Sequence, residues 1–270
     1  MNLDMNGRVA VVTGGGQGVG RGICLELAKE GALVAVNDLF EERAMAVADE
    51  IRQRGGTALA VAADITSPDQ VEAMFARIQA ELGAPTILVN NAGIIPERRE
   101  KGGKTPRFLD MPVDDWAKIV NLNVHGTMLC CRAALPAMVE SRWGRIVNII
   151  SEAGRVGEAN MAVYSGAKGA IAAFGKALAR EHGRDGVTVN AVALGAVSHE
   201  GIKDGPLHVD ATPENNELLA KLLSMYPIGK GAGRLARPDD VSAIVAFLAS
   251  SRALFITGQT VGASGGFAMI

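Results

Sequence analysis

Thr13-Gly14-Gly15-Gly16-Gln17-Gly18-Val19-Gly20, met directly after the apolar run Val9-Ala10-Val11-Val12, decides the fold. A β-branched run that breaks into glycines and then opens a helix predicts a strand, a tight turn and a helix whose free N–H groups face that turn. Glycines let the backbone approach a pyrophosphate closely, and the helix N-terminus adds partial positive charge. By itself a glycine cluster is equally a flexible turn; the strand before it and the helix after it make Gly14, Gln17, Gly18, Val19 and Gly20 a candidate cofactor loop.

Outward from this turn the pattern repeats. Runs rich in Val and Ile at 9–13, 33–37, 58–62, 87–90, 145–150, 188–192 and 260–262 alternate with longer amphipathic stretches, as in a parallel sheet wrapped by crossover helices. Their near-continuous apolarity implies that both faces of the sheet are covered. Ser67-Pro68-Asp69 predicts an N-cap and a first-turn proline opening a helix through Leu82. The expected fold is α/β: a single Rossmann-type domain over 1–270, with a doubly wound parallel seven-stranded sheet flanked by helices. Two stretches interrupt the alternation, 94–112 and 199–227, and stretches of this length are usually functional. The second places Leu218, Leu219, Leu222 and Leu223 at helical spacing, predicting a lid helix within a substrate loop at about 196–227.

The bulk numbers narrow the function. Of 270 residues, 48% are hydrophobic and 21% charged, which suits a folded globular chain rather than a disordered one. Lys and Arg number 27 against 29 Asp and Glu, leaving no basic footprint for nucleic acid or an anionic membrane, so small-molecule substrates are expected. The first residues, Met1-Asn2-Leu3-Asp4-Met5, lack a signal pattern, and no run reaches the ~20 apolar residues of a membrane span. A cytoplasmic location without membrane attachment is expected. Cys24, Cys130 and Cys131 fit neither a disulfide framework nor a zinc site and read as small buried hydrophobes, with no metal expected.

Asp38 follows the second strand, where a carboxylate accepts from both hydroxyls of an adenosine ribose and repels a phosphate placed there. Leu39 and the neutral Gln17 supply no cation for such a phosphate, so NAD rather than NADP is expected. The competing reading is that Asp38 caps the following helix. Ser151, Tyr164 and Lys168 follow the fifth strand, and the Tyr–Lys spacing of four puts both side chains on one helix face. A tyrosine titrates near 10, too high for an efficient base at neutrality, and a neighbouring ammonium stabilises its phenolate. Tyr164 is the expected acid/base; a lone pair of this kind would instead be packing.

The motif is not alone. Thr13-Gly14-x-x-x-Gly18-x-Gly20, Asn90-Asn91-Ala92-Gly93 after the fourth strand, and Tyr164-x-x-x-Lys168 with Ser151 thirteen residues upstream together resemble the short-chain dehydrogenase/reductase family over essentially the whole chain. The resemblance implies an NAD-dependent oxidoreductase that moves a hydride between nicotinamide and a secondary alcohol or ketone. It gives Ser151 a hydrogen bond to the substrate oxygen, and it has Lys168, with Tyr164, hold the nicotinamide ribose. Asp64 and Ile65 would lie against the adenine, and Asn91, Ala92 and Gly93 would form the cofactor wall. Asn123, whose surroundings Asn123-Val124-His125-Gly126 match the family pattern better than those of Asn121, would hold a water in a relay to Lys168. His125 reads as structural. A homotetramer is also implied, in keeping with apolar residues on more than one face of the helices around 116–138 and 163–182 and with the apolar ending 265–270.

The chain departs from the family after the sixth strand, where Leu194-Gly195-Ala196-Val197-Ser198-His199 stands in place of Pro-Gly-x-Val-x-Thr. Val197 is retained and its backbone can still serve the cofactor. The threonine that helps fix the carboxamide is replaced by His199, so either Ser198 or His199 substitutes for it, or His199 faces substrate. Ser151-Glu152-Ala153-Gly154-Arg155, Ala179-Arg180-Glu181-His182 and Ser264-Gly265-Gly266 look like the branch of 2-hydroxycyclohexanecarboxyl-CoA dehydrogenase and related hydroxyacyl-CoA and alicyclic-alcohol dehydrogenases. Arg98, Arg99, Lys101, Lys104 and Arg107 either meet a CoA phosphate or form an ordinary solvated loop. Steroid or 3-oxoacyl reduction is the alternative chemistry, and a catalytically silent NAD-binding sensor or scaffold is the alternative of another class.

Overall fold

Every apolar run predicted as a strand pairs into one parallel seven-stranded sheet of order β3-β2-β1-β4-β5-β6-β7. The computed structural model describes residues 3–94, 106–202 and 205–270. The strands are β1 (Val9–Val12), β2 (Leu33–Asp38), β3 (Thr57–Ala62), β4 (Pro85–Asn90), β5 (Gly144–Ser151), β6 (Val187–Leu194) and β7 (Thr260–Ala263). The helices follow as α1 (Gly18–Lys29), α2 (Glu41–Gln53), α3 (Pro68–Glu81), α4 (Val113–Val120), α5 (Gly126–Glu140), α6 (Ala153–Val156), α7 (Ala162–His182), α8 (Glu217–Leu223), α9 (Pro227–Ala232) and α10 (Pro238–Leu248).

Strand side chains alternate in direction, so each strand feeds two cores. Ala10 and Val12 join Val34 and Val36 beneath α1, α2 and α10, where Ile23, Leu27, Val47, Val241 and Val245 are buried. Val9 and Val11 join Leu88 and Ile146 beneath α3, α5 and α7, where Met74, Ile78, Cys131, Met138 and Ala179 are buried. The double cover explains the unbroken apolar strands. All three cysteines are buried and free, and burial pushes their thiols up. Ser67 caps α3 as predicted, accepting from the Gln70 N–H.

The connection from β3 crosses the sheet to β4, so strand order reverses between β1 and β4. A crevice opens at such a reversal outside the carboxyl ends of the strands, and ligands of doubly wound sheets bind there. The glycine loop, Asp38, Asn90, Ser151 and Leu194 all end or follow strands at this edge. Among the described residues no helix is long and apolar enough to cross a membrane.

Candidate active site

The glycine loop is held shut against the neighbouring strand. Asn91 donates from Nδ2 to the Thr13 and Gly14 carbonyls, each at 3.0 Å. Thr13 Oγ1 accepts from the Asn91 and Ala92 N–H groups at 3.0 and 3.2 Å. The side-chain-free positions are sterically required: a Cβ on Gly14 would stand 3.0 Å from the Ala92 Cα, and one on Gly20 would meet the Gly14 carbonyl oxygen. Gly14 and Gly18 also have φ of +61° and +55°, the left-handed region that favours glycine. Gln17 occupies the N-cap of α1 without capping it through its side chain, and Val19 packs partly buried on the core. The N–H groups at the start of α1 thus face a backbone cradle that fits an anionic group.

Asp38, buried at the end of β2, is held at both oxygens. Oδ2 accepts from the Gly16 N–H at 3.1 Å and Oδ1 from the Phe40 N–H at 3.2 Å. It therefore ties β2 to the glycine loop; α2 is capped at Phe40, not at Asp38. The expectation that no cation stands nearby needs correction. Arg43, in the first turn of α2, lies close to Gly16, where an added Cβ would meet the Arg43 Cβ at 2.6 Å and Asp38 Oδ2 at 2.8 Å. Its guanidinium stacks 4.2 Å from the Phe40 ring. Inspection of residues adjacent to Asp38 cannot find it, because it arrives by helical periodicity.

Asp64 turns its carboxylate inward, accepting from the Thr66 N–H and hydroxyl at 2.8 Å each. Ile65 is buried, and its side chain occupies the space a Cβ on Gly126 would fill, with 2.9 Å between them. Of these two residues, Ile65 is left to offer a ligand backbone rather than side chain.

The catalytic candidates converge. Ser151 ends β5, where its hydroxyl accepts from the Ala153 N–H at 3.2 Å and lies 3.5 Å from the Leu194 carbonyl. Gly154 of α6 abuts α7 so closely that a Cβ there would fall 2.7 Å from the Lys168 Cβ, which fixes the Ser151 segment against the helix bearing Tyr164 and Lys168. Lys168 is buried, donates to the Ile149 carbonyl at 2.9 Å, and lies 5.7 Å from the Tyr164 ring centroid. Burial lowers its ammonium to about 8.

Asn123 reaches the same point from the other side. Residues Asn121–His125 form a π-helical turn between α4 and α5, a feature that often marks functional sites. The turn buries Asn123 and leaves Asn121 and His125 exposed. Asn123 donates from Nδ2 to the Gly93 and Ile119 carbonyls at 3.1 and 3.0 Å. Its Oδ1 is buried without a partner among the described residues. Gly93 is the gap between the two groups: a Cβ there would stand 2.7 Å from Asn123 Oδ1 and 2.8 Å from Lys168 Nζ. An orphaned acceptor facing a buried ammonium suits a bridging water, since such waters satisfy otherwise unpaired buried groups.

The chain beyond β6 closes the edge. Leu194 pairs in register with Ser151 and with Ala263, Val197 bridges Ala236, and the Ser198 N–H donates to the Ala236 carbonyl at 2.8 Å. Ser198 Oγ, like Asn123 Oδ1, is buried with no partner among the described residues. Tyr226, unnoticed in the sequence, fills the place of a side chain at Gly195, and its hydroxyl accepts from the Ala196 N–H at 3.0 Å. Its ring stacks on Phe267 at 5.1 Å. A helix forms at the predicted place as α8; Leu219 and Leu223 pack with Tyr226 and Leu235, whereas Leu218 is exposed. Arg98, Arg99, Lys101 and Lys104 lie outside the described residues, and Arg107 is exposed.

Residues 8–204 match the family model for short chain dehydrogenase. The chain is similar to a 3-oxoacyl-(acyl-carrier-protein) reductase of Pseudomonas aeruginosa, with 35% identity across 99% of this chain and 100% of that protein. A (hydroxy(phenyl)methyl)succinyl-CoA dehydrogenase subunit of Thauera aromatica is 37% identical across 98% of each chain. A 2-(S)-hydroxypropyl-CoM dehydrogenase of Xanthobacter autotrophicus is 36% identical across the whole of both. Among solved structures, a short-chain type dehydrogenase/reductase from Mycobacterium marinum superposes with a TM-score of 0.85 at 30% identity, covering 100% of this chain and 98% of that one.

The buried ammonium has a thermodynamic signature. Lys168 titrates near 8 in the folded chain and at about 10.4 when unfolded. Its charged form therefore burdens the fold below pH 8, and the burden fades as pH rises from there to about 10.4. The shift amounts to about 3 kcal/mol. Lys168→Met should accordingly be most stable relative to wild type at pH 6–7, and that advantage should shrink by several degrees of Tm by pH 10. Calorimetry of the pair across this range checks it; a difference independent of pH would contradict the buried charge.

Proposed function

The chain belongs to the short-chain dehydrogenase family, and on that premise we propose that it is an NAD-dependent oxidoreductase of secondary alcohols and ketones. Its substrate is proposed to be a hydroxyacyl or cyclic hydroxyacyl thioester. One observation carries the reading: Lys168 Nζ is buried within reach of the Tyr164 ring, with Asn123 Oδ1 facing it across Gly93. Nothing in packing rewards that arrangement, since a desolvated ammonium is costly, whereas proton transfer at Tyr164 requires it. This argues against a silent sensor or scaffold.

When bound, nicotinamide supplies or accepts the hydride. In reduction, Tyr164 gives its phenolic proton to the developing alkoxide while Ser151 donates a hydrogen bond to the same oxygen. Bringing a tyrosine from about 10 to neutrality takes roughly 4 kcal/mol, which the neighbouring Lys168 charge helps supply at low dielectric. A water between Asn123 Oδ1 and Lys168 would return the proton from solvent. Gly14 to Gly20 would cradle the pyrophosphate, and Asp38 would accept from the adenosine ribose. The backbone of Asp64, Ile65, Asn91, Ala92, Gly93 and Val197 would line the remainder, and the lid at 196–227 would shield the hydride path. The carrier-borne acyl substrate is supported by the names of two relatives, a 3-oxoacyl-(acyl-carrier-protein) reductase and a dehydrogenase of a succinyl-CoA derivative. Reduction of 3-oxoacyl groups is the second reading, favoured by the first of these.

Three measurements bear on these assignments. Tyr164→Phe should lower kcat by at least about a hundredfold, the low end of general acid/base effects, while NADH affinity changes little. A variant with near-wild-type kcat for a panel of cyclic ketones and 3-oxoacyl-CoA esters would refute the role of Tyr164, and no turnover by wild type across the panel would favour the sensor reading. NADH should be preferred over NADPH in kcat/KM, and Asp38→Ala should narrow the preference because Arg43 remains beside the vacated position; adding Leu39→Arg should narrow it further. Equal use of both cofactors by wild type would remove Asp38 from the selection. Finally, we propose a homotetramer, in which the exposed Leu254, Phe255, Met269 and Ile270 find cover. Light scattering should give about four times 28.1 kDa; a monomer at assay concentration would overturn it.

A further inference from the structure

His199 has no part in the catalytic assignment, and the structure gives its ring a defined place. The imidazole lies against Gly18: a Cβ on that glycine would fall 3.0 Å from Cε1, 3.0 Å from Nε2 and 3.1 Å from Cδ2. The φ of +55° at Gly18 favours glycine there for a second reason. On the other edge of the ring, the Gly201 N–H donates to Nδ1 at 3.1 Å. A ring nitrogen that accepts a hydrogen bond carries no proton, so a neutral imidazole here bears its N–H on Nε2. That nitrogen is among the ring atoms lying on the glycine loop. Gly201 in turn lies close to Gln17, with 3.0 Å between the position of an added Cβ and Gln17 Oε1. The stem leading to the ring is fixed by the Val197–Ala236 bridge and the Ser198 N–H bond to the Ala236 carbonyl.

We propose that His199 is a ligand of the cofactor pyrophosphate, donating from Nε2 to a phosphate oxygen over the amino end of α1. This rests on the reading that a nicotinamide dinucleotide binds at the glycine loop. Two features of the ring's position favour the pyrophosphate over the nicotinamide carboxamide or the substrate. Gly18 is the first residue of α1, where helix N–H groups and dipole already favour an anion. The Gly201 bond also selects the tautomer that presents a donor rather than an acceptor on that side. A donor to an ionised oxygen is the stronger class of hydrogen bond. In the family pattern a threonine stands at this position; the longer imidazole extends from the 195–201 loop to the glycine loop and clamps the two together.

The test is equilibrium binding of NADH and of ADP-ribose, which keeps the pyrophosphate and lacks the nicotinamide, to the full-length protein. His199→Ala should weaken both by a similar factor of about 10 to 100, the loss of one hydrogen bond to a charged group. His199→Phe keeps ring bulk over Gly18 without the donor and should weaken both ligands likewise; it also serves if the alanine variant folds poorly. Loss confined to NADH would place the ring at the nicotinamide end and overturn the proposal. Unchanged affinity for both ligands in either folded variant would also overturn it. Wild-type protein that binds neither ligand would instead defeat the cofactor reading itself, and the proposal with it.

Discussion

The Asn91 carboxamide fastens the glycine loop to the end of β4 where the ligand crevice opens. Asn91, just past β4, donates to two successive carbonyls of the chain leaving β1, Thr13 and Gly14. Strand order reverses between these two strands, so the helices that follow them depart in opposite directions and leave the loop ends without cover. Carbonyls at such an edge would otherwise face the crevice, where they would repel an anion. By occupying them, Asn91 leaves the crevice to the N–H groups at the start of α1, those of Gly15 and Gly16 being given to the Asn37 carbonyl and to Asp38. Gly20 has to be glycine for the same reason, because a side chain there would meet the Gly14 carbonyl and the Asn91 amide. Cofactor geometry, loop composition and strand order are thus one constraint seen at three levels.

Part of the cost of unmet polar groups falls on the site, beside that of Asn90 Oδ1, Trp116 Nε1, Asn148 Nδ2 and Thr188 Oγ1 elsewhere among the described residues. Asn123 Oδ1 and Ser198 Oγ are buried without partners among the described residues, and Lys168 is a buried ammonium whose hydrogen bond goes to a neutral carbonyl. Each unmet group costs of the order of 1–3 kcal/mol. Elsewhere the sheet is closed by apolar packing on both faces, which offsets such a cost. Stability is commonly exchanged for function in this way.

The fold was legible because both sheet faces are covered, so every strand reads as an unbroken apolar run and the first glycine turn fixes the direction of winding. Of the catalytic side chains, Tyr164 and Lys168 were legible by helical spacing, and Ser151 by its place at a strand end. Asn123 was distinguishable from Asn121 only by family likeness; the physical reason is the π turn over Asn121–His125, which no periodicity of 3.6 reveals. Arg43 escaped notice because it comes to Gly16 from the first turn of α2, five residues beyond Asp38. Ile65, expected against the adenine, packs its side chain into the space left by Gly126 on α5, a contact 61 residues away in sequence. Long-range partners of this sort, like Tyr226 beside Gly195, leave no local trace.

The two departures in the segment after β6 become one structural event when their backbone is followed. A proline at 194 would have no N–H to give to a sheet ladder, whereas Leu194 pairs in register with both Ser151 and Ala263. β6 therefore runs its full course between two strands before the chain turns. Gly195 then turns under the Tyr226 ring, Val197 and Ser198 bond to Ala236, and the chain arrives at His199 facing the amino end of α1. The residue that meets the glycine loop at the end of this path is His199, where the family pattern has a threonine. The imidazole is long enough to span from that segment to Gly18 while its Nδ1 still accepts from the Gly201 N–H.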